Sequence, residues 1–123
     1  MSTPIGPYAP IVSAGPWLIT SGQLGLVPAG AGDGPPRLVE GGAPEQLGQA
    51  LSNAGRLLAE HGAGPADVVK TIVFVTDLSH FSAVNEVYAA FFGNHRPARS
   101  VVEVAALPMG AEVEVEVWAY RSP

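Results

Sequence analysis

Asp67-Val68-Val69-Lys70-Thr71-Ile72-Val73-Phe74-Val75-Thr76 is the stretch on which the fold turns. Its β-branched run predicts a central strand. Successive side chains of a strand point to opposite faces. Here one parity carries Val73 and Val75, and the other carries Ile72 and Phe74. A strand that is apolar on both parities must be covered from both sides.

Working outward, Phe81, Val84, Val87, Tyr88 and Phe91 recur on one side of a predicted helix, with Ser79 as its N-cap and Gly93 just past its end. Upstream, Leu47, Ala50, Leu51, Ala54, Leu57 and Leu58 form the apolar stripe of another helix. Pro44 suits its first position, Glu45 suits the positive helix end and Gly62 suits its stop. Arg99 to Ala105 predicts a strand, as does Glu112 to Tyr120, where Val113, Val115 and Val117 alternate with Glu112, Glu114 and Glu116. Residues 17–21 predict a further short strand ending at Gly22. Residues 28–44 are rich in Gly and Pro and read as a loop, with at most a short extended piece at Arg37-Leu38-Val39. The predicted fold class is α+β, a sheet with two helices on one face. At 123 residues the expectation is one domain, 1–123. Two helices cover one face, so a second copy of the chain is the expected cover for the other; the 28–44 loop folding over is the alternative.

Composition limits the function. The net charge is −5 and the six basic residues are never adjacent, which disfavours a nucleic-acid partner that demands clustered Lys and Arg. There are no cysteines, hence no disulfide, thiolate ligand or Cys nucleophile. No apolar stretch approaches the ~18–20 residues of a membrane span, and the N-terminus lacks the features of a signal peptide. A cytoplasmic protein with no membrane partner is the expectation. His61, His80 and His95 are not spaced as ligand pairs, so no metal is expected; each reads as a helix-surface or loop histidine. Ser21, in Ser-Gly-Gln, lacks a nucleophile-elbow pattern. Gly30-Ala31-Gly32-Asp33-Gly34 runs into Pro35-Pro36 rather than a helix, so it reads as loop and not as a phosphate cradle.

Two charged residues remain open to two readings. Arg99, set just after Pro97-Ala98, is either a surface arginine or a rigid fork for a carboxylate. Glu114 lies on the solvent face of an isolated chain; if that face is covered, its carboxyl is placed to orient a water or hold a proton.

Several segments in order carry a resemblance: Ile5-Gly6-Pro7-Tyr8, Ile19-Thr20-Ser21-Gly22-Gln23, Val69-Lys70-Thr71, Val73-Phe74-Val75, Val84-Asn85, Phe91-Phe92, Pro97-Ala98-Arg99-Ser100, Val102-Glu103-Val104 and Val113-Glu114-Val115-Glu116. From Ile5 to Tyr120 the chain resembles the RidA/YjgF reactive-intermediate deaminases. The resemblance implies a chorismate-mutase-like fold assembled as a homotrimeric barrel, with sites in the clefts between subunits. It also implies hydrolysis of carboxylate-bearing enamines and imines of the 2-aminoacrylate type to 2-keto acids and ammonia, without cofactor. By position Arg99 matches the arginine that grips the substrate carboxylate, and Glu114 the glutamate that positions water. Tyr8, Ser21 and Asn85 fall on other pocket positions, although a packing tyrosine, a turn hydroxyl and a helix-edge amide are their plain alternatives. Val101 stands where the family often has cysteine, and only its main chain is expected to meet ligand. The short segment Gly93-Asn94-His95-Arg96 alters one pocket wall, and Arg96 is expected to face water. A trimer that binds small carboxylates without turnover, or serves a biosynthetic enzyme, is the rival reading.

Overall fold

The computed structural model describes residues 6–27 and 35–121. Valine-rich stretches and amphipathic ones alternate along the chain and become strands and helices in turn. β1 (Ile11–Ala14), β2 (Trp17–Thr20) and β3 (Gln23–Leu24) come first, then α1 (Ala43–Ala59) and β4 (Val68–Val75). α2 (Phe81–Phe92), β5 (Ala98–Glu103) and β6 (Val113–Tyr120) follow. The sheet runs β1-β2-β6-β4-β5, with β3 also pairing with β6. β4 and β5 are parallel, because α2 returns the chain to the same end, and the other pairings are antiparallel. The fold is the mixed α+β sheet expected, with both helices on one face.

β4 is indeed central, between β6 and β5. Val73, Val75, Val113, Val115, Val117 and Ala119 are buried beneath Leu47, Leu51 and Leu58 of α1 and Val84, Tyr88 and Phe92 of α2. On the other face Ile72, Phe74 and Trp118 are half-buried, whereas Val12, Trp17, Val102 and Tyr120 are exposed. That is a large apolar surface for a protein to show to water. Trp17 and Tyr120 meet edge to face there, 5.1 Å between centroids.

Several boundaries and contacts differ from the sequence reading. β1 was not expected: four residues between Pro10 and Pro16 make a weak signal, and what forms the strand is a hairpin with β2 across Gly15, whose φ is 59°. β4 carries a bulge between Val68 and Lys70. The bulge lets both Val68 and Thr71 face the helices although they are three apart. Ser79 does not cap α2. A 3₁₀ turn, Leu78–His80, precedes the helix, and the Asp77 carboxylate accepts from both the Ser79 backbone (2.8 Å) and its hydroxyl (2.6 Å). Asp77 is thus the N-cap of that turn and holds Ser79 inside it.

Other marks stand where they were read. Gly62 (φ 76°) follows α1 and Gly93 (φ 63°) follows α2, both in the left-handed conformation that ends helices. Leu38 bridges Leu26, which is the short extended piece at 37–39. The Gly30–Gly34 stretch lies outside the described residues.

Candidate active site

Arg99 is the cross-strand partner of Thr71 in the β4–β5 ladder, so its side chain leaves the sheet on the helix side. There it meets α2. Phe81, Asn85 and Tyr88 are spaced four and three apart and so share one helix face. Arg99 Nη1 donates to Asn85 Oδ1 at 2.8 Å. Its Cζ stands 4.8 Å from the Tyr88 ring centroid and 5.3 Å from that of Phe81, within cation–π range of both. The Tyr88 hydroxyl in turn is 2.7 Å from Thr71 Oγ1, inside the core. Burial raises the Tyr88 pKa, opposed by the Thr71 hydrogen bond and by the positive charges of Arg99 and Arg96, so the phenol stays neutral. Arg99 itself is exposed, and among the described residues no carboxylate lies within ion-pair distance of it.

Glu114 occupies the other face of the sheet. It pairs with Phe74 on one side and Leu24 on the other. Its pKa is raised, first by burial and then by the neighbouring charge of Glu116. The carboxyl lies against Gly22, so close that a Cβ there would fall 2.6 Å from Cδ and Oε1. Gly22 thus leaves the space that the carboxyl fills. Ser21, just before it, donates from Oγ to Ala9 O (2.6 Å) and from its backbone to Pro10 O (2.9 Å). Those bonds tie the segment that carries the exposed Tyr8 to the end of β2. Ser21 is therefore both a turn hydroxyl and a neighbour of Glu114.

The expected site residues thus fall into two groups. Asn85 and Arg99 are joined directly; Tyr8, Ser21 and Glu114 lie at the β2–β3 corner and on β6. β4 separates β6 from β5, about 10 Å of sheet, and the two side chains leave opposite faces. One chain does not bring Arg99 and Glu114 together. Val101, paired with Val73, turns its half-buried side chain into the core and leaves its main chain on the last strand of the sheet.

Three buried supports escaped the sequence reading. Tyr88 was seen only as part of an apolar stripe. Asn53 of α1 donates to Leu24 O (3.3 Å) and Leu26 O (3.0 Å), fixing the segment beside Glu114. Gln46 accepts from the Glu112 backbone at 2.9 Å and fixes the start of β6. Gln46 and Asn53 are seven residues apart, two turns of one helix flank, and that spacing was the available signal. His95 is a loop histidine, as read, and its Nε2, 2.6 Å from Val68 O, fastens the bulge of β4. Arg96 is exposed, as expected, and also donates to the Gly93 and His95 carbonyls past the end of α2. No three His, Asp or Glu side chains gather as a metal site among the described residues, and no helix there is long and apolar enough to cross a membrane.

A mixed sheet with two helices on one face and an acid-free arginine at its edge defines a class that comparison with known proteins makes specific. Residues 1–121 match the family model described as endoribonuclease L-PSP. The 2-iminobutanoate/2-iminopropanoate deaminases of Capra hircus and Homo sapiens are 43% and 40% identical over 119 residues, 97% of this chain and 83% of each relative. Among solved structures, the YjgF gene product of E. coli superposes with a TM-score of 0.87 at 39% identity, covering 97% of this chain and 91% of that one. RidA from an Antarctic Psychrobacter gives 0.87 at 38% identity, covering 96% and 91%. The chain belongs to the RidA/YjgF family.

Proposed function

We propose that this protein hydrolyses small enamines and imines bearing a carboxylate, of the 2-iminobutanoate and 2-iminopropanoate type, to 2-keto acids and ammonia. The observation that carries the reading is the placement of Arg99 and Glu114 on opposite faces of one sheet, each complete except for the other. A second copy laid on the open apolar face would bring the Glu114 corner of one subunit to the Arg99 edge of the next. A closed ring of three such contacts covers that face on every subunit. The trimer thus accounts at once for the half-covered sheet and the half-built site.

In that cleft Arg99 grips the substrate carboxylate with the N–H donors that Asn85 leaves free. Tyr8, Ser21 and the main chain at Val101 line the remainder of the substrate pocket. Glu114, its pKa raised by burial and by Glu116, takes a proton from water as the oxygen adds to C2 of the imine. The C2–N π bond opens onto nitrogen, which takes the proton held by Glu114 to give a carbinolamine. The hydroxyl proton then passes by way of Glu114 to the same nitrogen, the C–N bond breaks, and ammonia leaves as the carbinol carbon becomes the ketone. One water is consumed and no redox change occurs. An imine carbon is already electrophilic, so the residues need only orient and shuttle a proton.

Ribonuclease activity, which the family description names, is disfavoured by the net charge of −5. The reading is tested by generating imines in situ with an amino-acid oxidase and following their decay. Acceleration that Arg99→Ala and Glu114→Ala each remove supports it; no acceleration of any imine, with carboxylate binding intact, leaves a binder in its place.

A further inference from the structure

An arginine on the surface costs side-chain entropy to hold still, and a carboxylate site works best when that cost is met before the ligand arrives. Three groups hold Arg99: the Asn85 amide oxygen at one nitrogen, and the rings of Phe81 and Tyr88 against the guanidinium. They are not equivalent. Asn85 is exposed and Phe81 half-buried, while Tyr88 is only 6% exposed and its hydroxyl bonds to Thr71, which is wholly buried. Thr71 is also the residue directly across from Arg99 in the ladder. A closed circuit results: β4 backbone to the Thr71 hydroxyl, to the Tyr88 hydroxyl, to the ring, to the guanidinium, and back down the Arg99 stem to the same pair of strands.

We propose that Tyr88, tethered by Thr71, is a positioning residue for the carboxylate site, its ring being the fixed platform on which the Arg99 guanidinium lies. The proposal rests on the reading of Arg99 as the carboxylate grip and adds what sets the grip's height and tilt. A guanidinium has five N–H donors. Asn85 takes one of them, and the ring beneath fixes the plane in which the others point. Phenylalanine at position 88 would keep the face and lose the tether. Leucine would keep apolar volume and lose the face.

The test measures binding of 2-oxobutanoate by calorimetry, together with kcat and KM on oxidase-generated imines, for the wild type, Arg99→Ala, Tyr88→Phe and Tyr88→Leu. Tyr88→Leu is expected to weaken binding and raise KM about tenfold with kcat within about twofold, the pattern of lost uniform binding. Tyr88→Phe is expected to recover to within about threefold of wild type, since the ring face supplies most of the cation–π attraction. Wild-type binding by a folded Tyr88→Leu variant, beside a loss in Arg99→Ala, overturns the positioning role alone. Unchanged binding in Arg99→Ala overturns the carboxylate grip, and with it the proposal. A measurement on the unmutated protein stands apart from any folding defect: the ¹⁵N-resolved Nε–H proton of Arg99 is expected upfield of free arginine through the ring current. A free-arginine shift at that proton also overturns the platform.

Discussion

Beneath the helices, Val73, Val115 and Val117 are at most 1% exposed, while across the sheet Trp17, Val102 and Tyr120 remain 36%, 43% and 44% exposed. The first face is aliphatic and closed by α1 and α2. The second is aromatic, carries Glu114 and Glu116, and is closed by nothing within the chain's described residues. The same division separates the two halves of the candidate site, with Arg99 at the edge of the closed face and Glu114 on the open one. Stability is thus concentrated on one side of the sheet, while the other is the side that the proposed trimer would cover and that would supply half of the proposed chemistry.

The largest expected effects cut that division at its two poles. Arg99→Ala and Glu114→Ala are each expected to lower kcat/KM on imines by about 10²-fold or more. Neither should unfold the protein, because one side chain is exposed and the other half-buried. Mixing the two inactive variants breaks or sharpens the comparison. If each site takes Arg99 from one subunit and Glu114 from its neighbour, random reassembly of a 1:1 mixture restores about one quarter of wild-type sites. If one chain supplied both residues, nothing would return. Rate recovery after unfolding and joint refolding reads the answer.

Truncating the closed face tests its other half. Leu51 is fully buried under the sheet's helix layer, so Leu51→Ala is expected to cost about 2–5 kcal/mol in denaturant unfolding. Ile72→Asp, on the open face, is expected to shift the sedimentation mass from about three times 12.6 kDa to one. Its monomer should keep the helical circular dichroism, since Val73 and Val75 still pack on α1 and α2. A wild-type mass of 12.6 kDa would instead mean that the open face is bare in solution and the trimer reading wrong.

How much of this could be read from residues alone depended on whether a feature was local. The Val/Glu alternation at 112–117 states its own parity, and β4 declares two apolar faces, so the sheet, its helix layer and its uncovered side were all legible. Arg99 and Glu114 stood out from the residues with two readings each, and only the family resemblance chose between them and added Tyr8, Ser21 and Asn85. Their grouping was not legible, because the face on which Arg99 emerges depends on its register against Thr71, set by the β4–β5 pairing. The bulge at Val68 and Lys70 is of the same kind; it changes a parity that counting along the chain cannot detect. Tyr88 illustrates the remaining limit. An aromatic in a helical stripe satisfies the core reading so fully that its second use, a ring face under a cation fourteen residues from its Asn85 partner, leaves no separate trace.

Within the Glu114 half, Gly22→Ala is expected to have an intermediate effect. The added methyl would meet the Glu114 carboxyl at 2.6 Å, well inside contact distance, so the carboxyl must move. Displacing a proton-transfer group by about 1 Å lowers the rate by roughly 10–100-fold. Gly22 has no left-handed backbone to protect, so the melting temperature should change little. A large fall in stability with unchanged activity per folded molecule would place the crowding elsewhere.

The smallest effect is a shift of a pH profile. Glu114 is held above the ordinary carboxyl value of 4.5 by burial first and by Glu116 second. As the base of the addition step it must be ionised, so kcat/KM should rise with pH through its raised value. Glu116→Gln removes only the second cause. The amide still offers an oxygen to Trp118 Nε1, which donates to Glu116 Oε2 at 2.9 Å, so local packing is kept while the charge is lost. Without that negative neighbour the ionised form of Glu114 is less disfavoured and its pKa falls. The rising limb should therefore move to lower pH, and the plateau should hold. Movement to higher pH, or no movement, would mean that a group other than Glu114 governs the limb. The open face would then supply the cleft's wall and its water, but not its base.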